Sequence, residues 1–338
     1  MAGLRAVAAP RCTGSELGDG RPAGRDLPLS RFLVARPDTP VERINAALAD
    51  GLHLLLTPGI YRLPAPIRVA RAGTVVLGLG LATLLPTRGT AALEVADVPG
   101  VSIAGLLVDA GAVASPVLIA IGPRGAARDH AADPTLLADL YVRVGGAAPG
   151  RAGTALEINS HHVLCDNLWL WRADHGDREG GRGHVGWTEN PAELGLVVNG
   201  DDVTAYGLFV EHFRRHQVLW NGERGRTFFF QSELPYDPPS QAAYRDGPRR
   251  GWAAYRIADH VRAHEAVGLG IYANFTADPS IVVESAVQAP QRTGVRFTDV
   301  TTISLGGGKG TIAHVVNDAG GAAMAGAIRQ TLTAYPPR

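Results

Sequence analysis

Three stretches of this chain share one internal layout, and that repeat limits the folds open to it more than any other feature. They are LEVADVPGVSIAGLLVD (93–109), LEINSHHVLCDNLWLW (156–171) and LVVNGDDVTAYGLFVE (196–211). Each opens on Leu and a short apolar run, passes a polar turn, and resumes as a second strand of alternating residues. Val101, Val163 and Val203 fall at the equivalent position, each five residues before Leu106, Leu168 and Leu208. A unit of this size cannot close a core alone, but stacked copies bury one face against the next. The predicted fold is all-β, a parallel β-solenoid in which each coil lies on the one before. Apolar runs near 226–230, 281–283 and 295–303 can add rungs. A β-sandwich with long loops is the competing architecture, and it explains the shared layout less well.

The rest of the chain is organised around those coils. TPVERINAALAD (39–50) reads as one short helix: Thr39 and Glu42 fit a capping box, and Pro40 suits the first turn. Val41, Ile44, Ala47 and Leu48 line one face of it, and Gly51 ends it. Long excursions from the coils are expected at about 110–135, 172–195 and 234–251, which are rich in Gly, Pro or charge. Residues 1–16 are expected to be a flexible segment and 17–338 a single domain.

Composition removes several classes of function. Basic and acidic residues balance, 32 against 32, so no strongly basic field invites nucleic acid or an anionic membrane. No run of 18 apolar residues suggests a membrane span. Cys12 and Cys165 are the only cysteines, enough for one disulfide but not for a framework or a metal cluster. Gly78-Leu79-Gly80 lacks the third glycine and the helix of a dinucleotide fingerprint. GGGKGT (306–311) is not a phosphate loop, because Gly310 separates Lys309 from Thr311. No cofactor is implied. His161, His162, His175 and His184 show no metal-ligand spacing, and no metal is expected.

What remains is a cluster of aromatic and acidic residues. All five tryptophans fall between Trp169 and Trp252, with Glu211 and Glu233 in the same span. If Leu168 and Leu170 point inward, period two turns Trp169 and Trp171 outward, and Glu211 takes the matching position one unit on. Asp109, Trp171 and Glu211 then form a ladder on one exterior strip. Flat indoles there can stack on the C–H faces of sugar rings, or they can pack beneath the 172–195 excursion. Trp187 lies within that excursion, and Trp220 and Trp252 bracket the SELPYDPP loop, so each can wall a groove or cover the coil flank.

Glu233 follows TFFFQS and precedes Leu234-Pro235, where a strand gives way to a rigid turn. Phe and Tyr neighbours such as Tyr236 can partly desolvate its carboxyl, which is the tuning a general acid needs. A turn-capping or arginine-paired carboxylate is the plainer alternative. Glu211 lies 22 residues earlier, about one solenoid turn. It can equally pair with Arg214 or Arg215. His212 can bond a sugar hydroxyl or fill a turn.

PVERINAALADGLHLLLTPGIYRL resembles the opening of the pectin-lyase-like right-handed β-helices, in which a helix caps the first coil. LGDG (17–20), LVVNGDDVTAYGLFVEHF (196–213), WNGERGRTFFFQSELPYDPP (220–239) and SLGGGKGTIAHVVND (304–318) are similar to the exo-β-1,3-glucanases of glycoside hydrolase family 55. Members usually carry two β-helical halves with a cleft between them. This chain has the length of one half and is most similar to the second. The resemblance implies an exo-acting, inverting hydrolysis of β-1,3-glucosidic bonds, with Glu233 as general acid. For the base it leaves Glu211, Asp174 and Asp237 open, with Glu211 preferred, and it makes Trp169, Trp171, Trp187, His212, Trp220 and Tyr236 glucan-binding residues. A second β-helical body as partner and a secreted location follow from the same resemblance. A non-catalytic glucan-binding module and a polysaccharide lyase are the competing functions. The second lacks the dense Asp cluster that would hold calcium.

Overall fold

The computed structural model describes residues 3–7, 24–175 and 184–337. Two parallel sheets run the length of the molecule, one of nine strands and one of twelve, and successive coils contribute a strand to each. The architecture is the expected right-handed parallel β-helix. Its interior is built from columns of like residues. In the long sheet Leu106, Leu140, Leu168, Leu208, Phe230, Leu269 and Val300 stand in register, each at most 2% exposed. Burial of one such side chain contributes roughly 1.5–3 kcal/mol, so every coil is held mainly by its two neighbours.

The coils turn a corner by a shared device. In each long-sheet strand the residue before that inward column has left-handed backbone: Gly105 (φ +71°), Asp139 (+48°), Asn167 (+55°), Gly207 (+59°), Phe229 (+63°), Gly268 (+71°) and Asp299 (+54°). Glycine, Asn and Asp tolerate this region best, so the costly choices are Phe229, 62% exposed, and Leu81 (φ +56°), 51% exposed, which precedes inward Ala82 in strand Val75–Pro86. The outward residue four places beyond each corner from Gly105 to Gly268 forms a row: Asp109, Arg143, Trp171, Glu211, Glu233 and Tyr272. On the short sheet the strands Ala152–Ile158, Ala192–Val198 and Val218–Trp220 are each followed by an asparagine. Asn221 Nδ2 donates to Asn199 Oδ1, and Asn199 Nδ2 to Asn159 Oδ1, both at 2.7 Å.

The ends are sealed differently. Helix Val41–Ala49 buries Val41, Ile44 and Leu48 over the first coils. It has no side-chain cap: the Thr39 hydroxyl accepts the Arg36 N–H at 2.9 Å, so the expected capping box is absent. At the other end Arg329–Tyr335 lies antiparallel on Val295–Ser304.

Several expectations need correction. The 110–135 excursion contains strand Ser115–Ile121, which with Thr135–Val144 forms a coil between the first two repeats. Arg143 therefore interrupts the supposed Asp109–Trp171–Glu211 ladder, and it pairs with Asp109 at 2.7 and 2.8 Å. Gly3–Val7 pairs antiparallel with Gly24–Pro28, and the rest of the 1–16 segment lies outside the described residues. Residues 176–183 of the second excursion lie outside the described residues, and strand Ala192–Val198 begins within its last part. The third contains a short antiparallel pair, Arg245–Asp246 with Arg249–Arg250. Cys165 is a buried free thiol, and Cys12 lies outside the described residues. Among the described residues no helix is long and apolar enough to cross a membrane.

Candidate active site

The candidate residues converge at the C-terminal ends of three neighbouring long-sheet strands, Val163–Arg172, Thr204–Glu211 and Gly225–Glu233. Strand pairing sets Trp169 beside Phe209 and Trp171 beside Glu211. The His212 N–H donates to the Glu233 carbonyl at 2.8 Å, which places Glu211 and Glu233 at one level on adjacent coils. Period two works as expected for the indoles. Trp169 is 46% exposed and Trp171 half-buried, with their rings 6.3 Å apart.

Each acidic group has a different environment. Trp169 Nε1 donates to Glu211 Oε2 at 2.8 Å. Burial pushes the Glu211 carboxyl above the usual range, the Trp169 bond opposes that shift, and the Glu233 charge adds to it. Arg214 and Arg215 bond Glu193 instead, so the arginine-paired alternative for Glu211 does not hold. The Tyr236 hydroxyl donates to Glu233 Oε2, and burial together with that bond pushes the phenol upward.

Asp174 is the hub beneath them. It accepts from His175 Nδ1 at 2.7 Å, His212 Nδ1 at 3.1 Å and the Tyr236 N–H at 2.6 Å. Burial acts to raise its carboxyl, but His212, His175 and Arg172 outweigh it and hold the group well below the usual range. Its bond to His175 in turn raises that imidazole. Asp174, His175 and His212 lie close enough to be weighed as a cation site. The lengths are those of hydrogen bonds from two rings to one carboxylate, which already uses the donors a cation would displace.

Below the hub, fully buried Arg172 grips Asp237 with both terminal nitrogens and donates to the His212 carbonyl at 3.0 Å. Burial raises Asp237 to about 6 despite the Arg172 charge, and Asp174 adds to the rise. Asp174 and Asp237 are thus both tied to cationic or imidazole partners.

The remaining tryptophans lie in different surroundings. Trp220 is fully buried and stacks on Tyr255 at 6.3 Å, so it has no face for a sugar, contrary to expectation. A Cβ at Gly225 would lie 2.2 Å from its indole, which is why glycine follows. The signal was present: VLWNG aligns with LVVNG, which puts Trp220 in register with inward Val198 and Ile257. Trp187 is half-buried between Arg214 (4.6 Å) and Arg172 (5.7 Å), with Tyr244 edge-on. It supports the Arg172 grip and does not stand as an open platform. His175 is exposed and stacks on Tyr236 at 5.1 Å. Nothing local in the sequence marks its place above the carboxyl pair. A groove of about 800 Å³ on the short sheet, between Arg68 and Glu157, contains none of these residues.

Residues 32–233 match the LAM55 pectate lyase-like domain family. The chain belongs to this family. The fold and the family 55 likeness are thereby in agreement. A similar relative, named exo-beta-1,3-glucanase and from Streptomyces sp. SirexAA-E, is 51% identical over 307 residues. That match takes in 91% of this chain but 50% of the relative, so the chain spans about half the length of the curated protein it matches. The solved structure of sacteLam55A from Streptomyces sp. SirexAA-E superposes with a TM-score of 0.95 at 47% identity, over 99% of this chain and 60% of that one. A variant of sacteLam55A in complex with glucose gives 0.92 at 48% identity, over 96% of this chain and 57% of that chain.

Proposed function

We propose that this chain carries the catalytic carboxyl pair of a hydrolase that removes glucose units from β-1,3-glucan with inversion. One observation carries the reading. Glu211 and Glu233 stand on adjacent coils beside two outward indoles, and each carboxyl is held by its own donor, Trp169 for one and Tyr236 for the other. An inverting displacement needs two such carboxyls, one to protonate the leaving oxygen and one to activate a water on the opposite face of the sugar. Glu233, 24% exposed at a strand end, protonates the departing oxygen, and Glu211 takes a proton from the water that attacks the anomeric carbon. Trp169 and Trp171 bind the ring faces.

Chain-end action follows the name of the relative. The relative's greater length supports a second β-helical body that completes the cleft, and a polymeric glucan as substrate implies work outside the cell. The test is to incubate the chain with laminarin-type glucan and follow newly formed anomers by proton NMR. α-Glucose appearing first, lost by about 10²–10⁴-fold in Glu233→Gln, is the expected result. β-Glucose would refute inversion, and full activity of Glu233→Gln would refute the acid. Glucan binding without turnover in either protein would favour a binding module, the reading consistent with half-length coverage. Unsaturated products would indicate a lyase.

A further inference from the structure

An inverting glycosidase ends each turnover with its acid deprotonated and its base protonated, so a proton has to return before the next cycle. One buried side chain stands beside both groups. His212 directly follows Glu211, is 1% exposed, and has left-handed backbone at φ +67°. Its Nδ1 faces two acceptors, Asp174 Oδ2 at 3.1 Å and the Leu234 carbonyl oxygen at 3.2 Å. A ring nitrogen between two acceptors carries the hydrogen, so in the neutral ring Nε2 holds the lone pair. That Nε2 lies 4.0 Å from Glu233 Oε2. The backbone fixes the ring further, through Arg172 on the His212 carbonyl and the His212 N–H on the Glu233 carbonyl.

We infer that His212 is the positioning residue that relays a proton back to Glu233 between turnovers. The inference rests on the reading of Glu233 as acid and Glu211 as base. In the chemical step Glu233 gives its proton to the leaving oxygen as the glycosidic bond breaks. The attacking water bonds to the anomeric carbon and gives a proton to Glu211. Glu211 then releases that proton to water in the cleft, a proton reaches His212 Nε2, and Nε2–H passes it to Glu233 Oε2. Nδ1–H stays on Asp174 throughout, so the ring ends neutral and no proton is consumed. The 4.0 Å separation is spanned by one bridging water or closes on substrate binding.

The deciding variant is His212→Asn. Its amide can keep the Nδ1-like donor to Asp174, and asparagine tolerates positive φ, but it has no atom at the Nε2 position. A failed relay slows the step after product forms. The expected result on β-1,3-gluco-oligosaccharides is a kcat lowered by about 10²-fold with KM falling in proportion, kcat/KM close to unchanged, and a burst of one equivalent of product. Equal losses in kcat and kcat/KM, with no burst, would assign His212 a purely structural role and overturn the relay. Glu233→Gln, measured alongside, lowers kcat/KM if it is the acid. Unchanged kcat/KM there would instead remove the parent reading. The ring tautomer, read by nitrogen-15 NMR of His212, decides the point even in a chain without turnover. Nδ1–H with a bare Nε2 supports the relay, and Nε2–H overturns it.

Discussion

Arg172→Met is expected to destabilise the site by about 3–5 kcal/mol at pH 8, through the carboxylate it abandons. Arg172 is fully buried, binds both oxygens of Asp237 and donates to the His212 carbonyl at 3.0 Å. Hydrogen bonds involving a charged partner contribute roughly 1.5–3 kcal/mol each, and three are lost together. Methionine replaces the volume but no donor. Asp237, whose side chain is 12% exposed, then loses its guanidinium partner, and its carboxyl, already raised to about 6 by burial, is pushed higher. Asp237→Asn alone is expected to cost less, about 1–3 kcal/mol, because Arg172 keeps its bond to the His212 carbonyl and the Asp174 carboxylate 4.0 Å away. In Arg172→Met/Asp237→Asn most of the loss should return, giving a coupling of roughly 2–3 kcal/mol of favourable sign. Chemical denaturation followed by tryptophan fluorescence reads all four proteins, and Trp187, packed over the Arg172 guanidinium, reports the local event. Additive single losses, or an Arg172→Met cost below about 1 kcal/mol, would refute the claim that this pair ties the 234–251 loop to the coil.

Three further outcomes follow from the geometry. Trp169→Phe removes the 2.8 Å donor to Glu211; burial already raises that carboxyl and the indole opposes the rise. The acidic limb of the kcat/KM–pH profile should therefore move to higher pH, with activity on its slope falling about tenfold. A limb that stays in place would show that Glu211 does not act as base. Trp220→Ala should cost about 3–5 kcal/mol in denaturation, as a buried aromatic does, while glucan affinity of the surviving folded protein is unaffected. Phe229→Asn should stabilise by about 0.5–1 kcal/mol through relief of the φ +63° backbone, and a loss would mean that the edge contact with Phe209 outweighs the strain.

The fold was legible because the coil repeats a layout, and a repeat survives the ambiguity of any single strand. A coil that breaks the layout is hidden: SPVLIAI follows its neighbours in the stack but has Pro116 as its second residue and is followed by a charged loop. The outward turn of Trp169 and Trp171 was legible from Leu168 and Leu170, since a ten-residue strand fixes the phase of its alternation. Val218–Trp220 has three residues, too few to fix that phase without its neighbours, and Trp220 went to the wrong face. Glu233 could be found at its strand end. The Asp174 hub could not, because its donors come from positions 175, 212 and 236, joined only by stacking.

The left-handed corners act as a ruler. Each coil restarts its count at the corner, so the side chain four places on is delivered to the same row whatever length of loop preceded it. The row is thus a pegboard, with Asp109, Arg143, Trp171, Glu211, Glu233 and Tyr272 as pegs that can be exchanged singly. Insertions before a corner or beyond the row leave the pegs in place. One residue added between corner and row would turn that peg inward and drive an apolar neighbour into the cleft. New chemistry on such a scaffold is reached by swapping pegs and lengthening loops, and the spacing from corner to peg is the part that cannot drift.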